Sequence, residues 1–214
     1  MGLNMDKNDV EVIGKETRFD GFFRLDHYRL KHRLFKGGWS GAMSREVFER
    51  GHAVAALLYD PDLDRLVMVE QFRPGAYAAL ASPWFDENTH SPWLVEFIAG
   101  IIGEGENPED VARRESREEA NCEIKEIIPV YHYFSSPGGS SESVFFFCGR
   151  VNAGTAGGIH GLPHENEDIR VFTVSVKQAL QWLETGEINN ALTLIGLQWL
   201  YMNHERVRAL WRNT

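Results

Sequence analysis

The chain has 214 residues, 43% hydrophobic and 12% aromatic, enough for one full domain with a smaller annex and a buried core. Its 31 Asp and Glu against 22 Lys and Arg leave a formal charge of −9, which excludes the basic surface that a nucleic-acid partner needs. No apolar run approaches the ~20 residues of a membrane span, and Cys122 and Cys148 come without a signal-peptide pattern, so we expect a cytoplasmic protein with free thiols and no membrane contact.

From Val10 to Arg50 the pattern is extended. A short strand at Val10–Ile13, an alternating stretch from Phe22 to Leu34, a Lys36-Gly37-Gly38 turn and a third piece at Ser44–Glu49 make three strands that bury too little alone. They need the main domain or a second copy of the chain to pack on, and a strand-exchanged homodimer supplies one. We therefore expect a β-strand subdomain over 1–50 and a main domain over 51–214.

Ala53–Tyr59 and Arg65–Phe72 read as strands around the turn Asp60-Pro61-Asp62. Pro74–Pro92 reads as a long surface loop with room for a helical turn, and loops of this length are functional or mobile. Trp93–Ile98 forms a strand that delivers Ala99-Gly100. A helix follows, capped by Asn107, with Pro108 at its first position and Glu109 and Asp110 favouring the positive end of its dipole. It runs to about Ala120, where Asn121 takes the left-handed conformation that ends it. Ile124–Phe134 and Ser143–Val151 are strands, Gly157–Asp168 is a loop, and Ile169–Val174 is a strand. Val176–Glu184 and Asn190–Trp211 are amphipathic helices, the second with Leu192, Ile195, Trp199 and Met202 as its core-packing stripe. Strands wrapped by helices in mixed order imply an α/β sandwich.

At ~100° per residue Glu115 and Glu119 lie one above the other, with Glu118 on the neighbouring flank. Three carboxylates within one turn repel each other, so helix stability alone would not choose them. A solvated charged face is the ordinary reading of such a run. A hard cation such as Mg²⁺ would relieve the repulsion, and the ordered spacing of Gly100, Glu106, Arg114-Glu115 and Glu118-Glu119 shifts the balance toward it. Arg114, four residues before Glu118, can hold one carboxylate in place. The acidic loop Glu165-Asn166-Glu167-Asp168 is either a solvated turn or a source of a carboxylate that reaches the metals or takes a proton from water. Arg45 and Arg73, near strand ends, are either solvated or matched to a diphosphate. Phe22 and Phe23 are core residues first, with stacking on a purine as the second reading. His52, His132 and His160 lack the paired spacing of a zinc site.

The same spacing resembles the Nudix box, GX5EX7REUXEEXGU with U a bulky apolar residue, matched by Gly100, Glu106, Arg114, Glu115, Glu118 and Glu119. Ser116 and Cys122 replace bulky residues and Asn121 replaces the glycine. Asn keeps the left-handed cap, and Ser116 weakens helix packing rather than chemistry. The segments NDVEVI, EQFR, SSPGGSSE, GIHGL and ENEDIRV, with Arg50-Gly51-His52 and with Pro137 fifteen residues beyond the box, are similar to the ADP-ribose-hydrolysing branch of the superfamily. The resemblance implies a Nudix-type α/β/α sandwich with a mixed sheet, a small N-terminal antiparallel β-sheet subdomain, and a homodimer.

It also implies Mg²⁺-dependent hydrolysis of the pyrophosphate bond of ADP-ribose to AMP and ribose 5-phosphate. The alternatives are another nucleoside diphosphate sugar, such as ADP-glucose or GDP-mannose, or a sensing module without catalysis. By the resemblance the Ala99 carbonyl, Glu115 and Glu119 are metal ligands, and Glu118 is an orienting carboxylate held by Arg114. Glu165 or Glu167 supplies the base or a further ligand, with Glu165 favoured as base and Glu167 near the metal. Arg45 and Arg73 grip the diphosphate and ribose side, Phe22 contacts adenine and Glu142 the terminal ribose. Two or three Mg²⁺ ions are implied, with Mn²⁺ as a substitute. The segment from Ala79 to Ser91 is longer than usual for this branch, which bears on substrate preference if it reaches the site.

Overall fold

The alternating N-terminal stretches form a three-stranded antiparallel sheet in the order β1 (Val10–Asp20), β2 (Arg24–His32), β3 (Met43–Glu49). The computed structural model describes residues 5–86 and 88–212, with the side chain of Glu165 outside that set. Its backbone divides into two compact units, Met1–His52 with Phe134–Ser143, and Ala53–Tyr133 with Val144–Thr214. In the first unit β1 extends well past Ile13, because it keeps pairing with β2 through two register shifts from Val10↔His32 to Asp20↔Arg24. Every residue of β1 is exposed. The sheet instead buries a charge: Asp26 is inaccessible, 2.8 Å from the Lys15 ammonium and 2.8 Å from the Thr17 hydroxyl that donates to it. The Lys15 hydrogen bond holds that carboxyl below its usual range.

The second unit is built on β4 (Ala53–Asp60), a strand buried at every position. It pairs in parallel with β9 (Ser143–Arg150) and antiparallel with β5 (Arg65–Phe72) and β7 (Ile98–Ile101). The sheet runs in the order β10 (Gly158–His160), β11 (Ile169–Ser175), β5, β4, β9, β8 (Glu126–Phe134), so it is mixed as the sequence implies. Strand residues alternate between two cores. Ala55, Leu57, Tyr59, Leu66 and Met68 pack with α3 (Val176–Thr185) and α4 (Ala191–Arg212), while Val54, Ala56, Leu58, Val67 and Val69 pack with α2 (Pro108–Ala120). This is the α/β/α sandwich. The long loop opens with a short helix α1 (Pro74–Ala79).

Two details differ from the expectation. The strand at 93–98 is two strands, β6 (Trp93–Glu96) on β5 and β7 on β4, broken at Phe97. The cause is that β5 pairs with β4 only over Leu58–Asp60 and then leaves it, and β6 and β7 fill the opening. In α4 the buried face is Thr193, Gly196, Leu197, Trp199, Leu200, Val207 and Trp211, and Met202 is 67% exposed. A Cβ at Gly196 would collide with the rings of Phe97 and Phe146, so the bare backbone turns toward the sheet and sets the helix's rotation. Among the described residues no helix is long and apolar enough to cross a membrane.

Helix α2 has the ends its sequence specifies. Asn107 Oδ1 accepts the Glu109 N–H at 2.8 Å, and Asn121 sits at φ 49° with its N–H donating to Arg117 O. Ser116 does more than fill a packing position poorly: it is fully buried, and its hydroxyl donates to the Cys122 carbonyl at 2.8 Å, locking the chain beyond the cap. Ser116→Ala removes that bond and leaves the carbonyl buried. It is expected to cost about 1–2 kcal/mol, a fall of about 2–8 °C in a thermal melt.

Candidate active site

A helix on a sheet should bury apolar residues, yet α2 buries glutamates. Its inner face carries Val111, Glu115 and Glu119 in one line and Ala112, Ser116 and Ala120 in the next. The helix crosses the opening where β6 gives way to β7, so Glu115 and Glu119 face the backbone of Ala99 and Gly100. A Cβ at Gly100 would collide with the Glu115 carboxylate; glycine is the residue that lets it lie there. Glu119 is 3% exposed and its Oε2 accepts the Ala99 N–H at 2.9 Å. Burial pushes its carboxyl up to about 8, Glu115 and Glu167 push the same way, and the Ala99 N–H and Arg73 oppose them.

Arg114 is the hub of the exposed side. Its Nη1 lies 2.9 Å from both Glu115 Oε1 and Glu118 Oε2, and its Nη2 lies 3.9 Å from Glu106. Glu106 in turn accepts the Gly103 N–H at 2.7 Å, fixing the loop before the helix. Glu167, in the late loop, lies near enough for its charge to act on Glu119. Its Oε2 accepts the Leu162 N–H at 3.1 Å, and Gly161, at φ +100°, leaves space that a Cβ would take from Glu167. Glu165 closes a 3-10 turn, Pro163–Glu165, and its side chain lies outside the described residues.

Arg73 is held by Glu96, a residue the sequence analysis did not single out. Its Nε sits 2.7 Å from Glu96 Oε2, and among the described residues its terminal nitrogens make no hydrogen bond. Glu96 is 8% exposed, and burial raises its carboxyl despite the arginine beside it. The available signal was a lone carboxylate in an otherwise apolar strand, Trp93-Leu94-Val95-Glu96-Phe97-Ile98. Phe22, Arg45 and Glu142 belong to the other unit. There Phe22 is 88% exposed and meets Phe23 edge-on, Arg45 donates to the Ser44 carbonyl, and Glu142 lies 3.1 Å from Arg50 and accepts from Ser135.

Among the described residues no three Asp, Glu, His or Cys side chains stand together as ready metal ligands. The carboxylates are turned onto N–H and guanidinium partners instead. Their chemistry nonetheless fits a hard divalent cation: the donors are all oxygens, and Glu119 is a buried carboxyl whose ionised form is under-compensated.

The NUDIX domain model matches residues 49–195, so the chain belongs to the Nudix family. It is 50% identical to the ADP-ribose pyrophosphatase of Escherichia coli K12 over 96% of this chain and 94% of that protein. It is 43% identical to the ADP-ribose pyrophosphatase of Haemophilus influenzae over 97% and 93%. A GDP-mannose pyrophosphatase of Shigella flexneri is 34% identical over 91% and 96%. A solved structure described as an ADP compounds hydrolase superposes with a TM-score of 0.67 at 17% identity, over 94% of this chain and 97% of that one, and supports the fold.

The raised Glu119 carboxyl sets a pH dependence. The folded chain holds that proton up to about 8, against an ordinary value of 4.5, so the group's contribution to stability is present below 4.5 and is lost as pH rises toward 8. Added Mg²⁺ should therefore raise the melting temperature more at about pH 8.5 than at about pH 5.5; an equal or reversed effect in thermal melts would contradict the cation fit.

Proposed function

We propose that this protein hydrolyses the pyrophosphate bond of ADP-ribose to AMP and ribose 5-phosphate. The carrying observation is the half-identity, along almost the whole chain, to ADP-ribose pyrophosphatases. The retention of Gly100, Glu106, Arg114, Glu115, Glu118 and Glu119 in one interlocked arrangement supports it. A second reading, hydrolysis of another nucleoside diphosphate sugar, is favoured by the weaker likeness to GDP-mannose pyrophosphatase.

In this reading the Ala99 carbonyl, Glu115, Glu119 and Glu167 hold two or three Mg²⁺ ions, for which Mn²⁺ can substitute. When bound, such ions neutralise charge on the diphosphate and lower the pKa of water. Glu118 orients the site under the hold of Arg114. Arg73 offers the diphosphate its terminal nitrogens, with Glu96 fixing the plane of the guanidinium. Glu165 takes the proton of the attacking water as its oxygen bonds to one phosphorus and the bond from that phosphorus to the bridging oxygen breaks, the other phosphate monoester leaving with that oxygen. Phe22 contacts adenine, Arg45 the diphosphate and Glu142 the terminal ribose. The chain acts as a cytoplasmic homodimer, with a β subdomain over 1–50 and the hydrolase domain over 51–214. Val10, Val12, Ile13 and Phe19, 43–61% exposed along β1, are the apolar surface that a second copy covers.

Incubation with ADP-ribose, ADP-glucose and GDP-mannose, with Mg²⁺ or chelator, is expected to release AMP and ribose 5-phosphate fastest from ADP-ribose and only with metal. Faster turnover of another sugar would move the substrate, and no turnover would remove the hydrolase reading. Glu165→Gln should lower kcat by roughly 10²–10⁴-fold and Glu167→Gln less; equal small losses would sink the base assignment. Glu96→Gln frees the Arg73 guanidinium and should raise KM about tenfold with a smaller change in kcat, as expected when a charge-assisted bond that pre-orients a binding group is lost.

A further inference from the structure

A cavity of about 710 Å³ lies between β6, β11, the end of α3, the turn that follows it and the loop that leads into β6. Its volume falls in the ~300–1,000 Å³ range of small-molecule sites. It opens on the α3 side of the sheet: Val95 lines it, while the next residue, Glu96, points through the other face to the carboxylate site. The two sites are therefore distinct.

The walls are rings. Phe172 and Trp182 meet edge to face with centroids 6.2 Å apart, and Trp93, 54% exposed, presents its indole from β6. The rim is polar: Thr89, Ser91 and Thr185 carry hydroxyls that already bond within the chain and keep a lone pair or proton to share, Asn189 adds an amide and His90 an imidazole. Arg170 is the only Lys or Arg among the lining residues described. It is already neutralised by Glu70, with its guanidinium stacked 4.9 Å over Phe172, and Glu187 adds an opposing charge. Among the described lining residues a phosphate would find no free lysine or arginine. A flat, neutral ring with hydrogen-bonding edges finds both of the surfaces it needs.

We propose that this cavity binds a nucleoside, its base stacked on the indole of Trp93 or Trp182 and its polar edge and ribose hydroxyls met by the rim. The inference is independent of the hydrolase reading, since it uses none of the residues of the carboxylate site.

Equilibrium dialysis of the full chain with adenosine, guanosine and uridine, in chelator, tests it. One nucleoside should bind saturably at one per chain. Trp93→Leu, a surface change, should weaken binding about tenfold or more, as loss of a stacking ring does. Trp182→Leu, checked by its melting curve, should do the same, and Phe22→Ala, at the residue read as the adenine contact of the hydrolytic site, should leave binding unchanged. No saturable binding below about 5 mM for any of the three would overturn the proposal. So would binding that Phe22→Ala abolishes or weakens as much as Trp93→Leu does, because the nucleoside would then occupy the hydrolytic site.

Discussion

The N–H of Ala99 meets the carboxylate of Glu119 at 2.9 Å, and the rest of the carboxylate face is arranged around that bond. β7 pairs with β4 on one edge only, so a backbone donor on its other edge needs a partner. α2 supplies it from a residue that would otherwise be a costly burial, a glutamate at 3% exposure. One contact thus satisfies a strand edge and draws a charged side chain under the helix. It also sets how deep α2 sits, which in turn explains why position 100 is glycine: the Glu115 carboxylate, one turn earlier, lies where any side chain would be.

Depth has an electrostatic consequence. Glu96, Glu115, Glu118, Glu119 and Glu167 outnumber Arg73 and Arg114 in the same region. The two arginines are not equivalent. Arg114 is spent on its neighbours, spanning Glu115 and Glu118 with one nitrogen and facing Glu106 with another. Among the described residues Arg73 is tethered through Nε alone, which leaves its outer fork directed by Glu96. A rigid, half-used guanidinium suits recognition of a phosphate, and a fully used one suits holding carboxylates apart.

What was legible in the sequence follows from the range of the interactions. The ends of α2 depend on contacts within a turn, so Asn107, Pro108 and Asn121 could be read directly, and they stand as expected. The apolar runs that mark β4 and β5, on either side of the Asp60-Pro61-Asp62 turn, are equally local. The break at Phe97 was not legible, because it arises from β5 parting from β4, a decision made by strands far apart in the chain. Glu96 was missed for the same reason, since its partner lies 23 residues away, just past the end of β5. The rotation of α4 was misjudged because a hydrophobic stripe counts side chains, whereas Gly196 turns inward by having none. Ser116 was undervalued because its worth is a bond to Cys122 rather than apolar volume.

The long segment after Arg73 raised a question about the substrate, and its anchoring answers part of it. The segment leaves from the end of β5 and returns at the start of β6, where Phe72 pairs with Trp93 and the Arg73 N–H donates to the Pro92 carbonyl at 2.8 Å. That closure makes the interior of the loop separable from its ends. Lengthening a loop whose ends are already paired adds little entropy cost, on the order of 0.6 kcal/mol per doubling. It leaves the register that sets Glu96 opposite Val69, and hence the Arg73–Glu96 pair, as it was. The loop's last residues lie on the other side of the sheet, where Thr89, His90 and Ser91 help to wall the aromatic cavity. The carboxylate face and the loop can therefore vary independently, with β6 as the strand that both depend on.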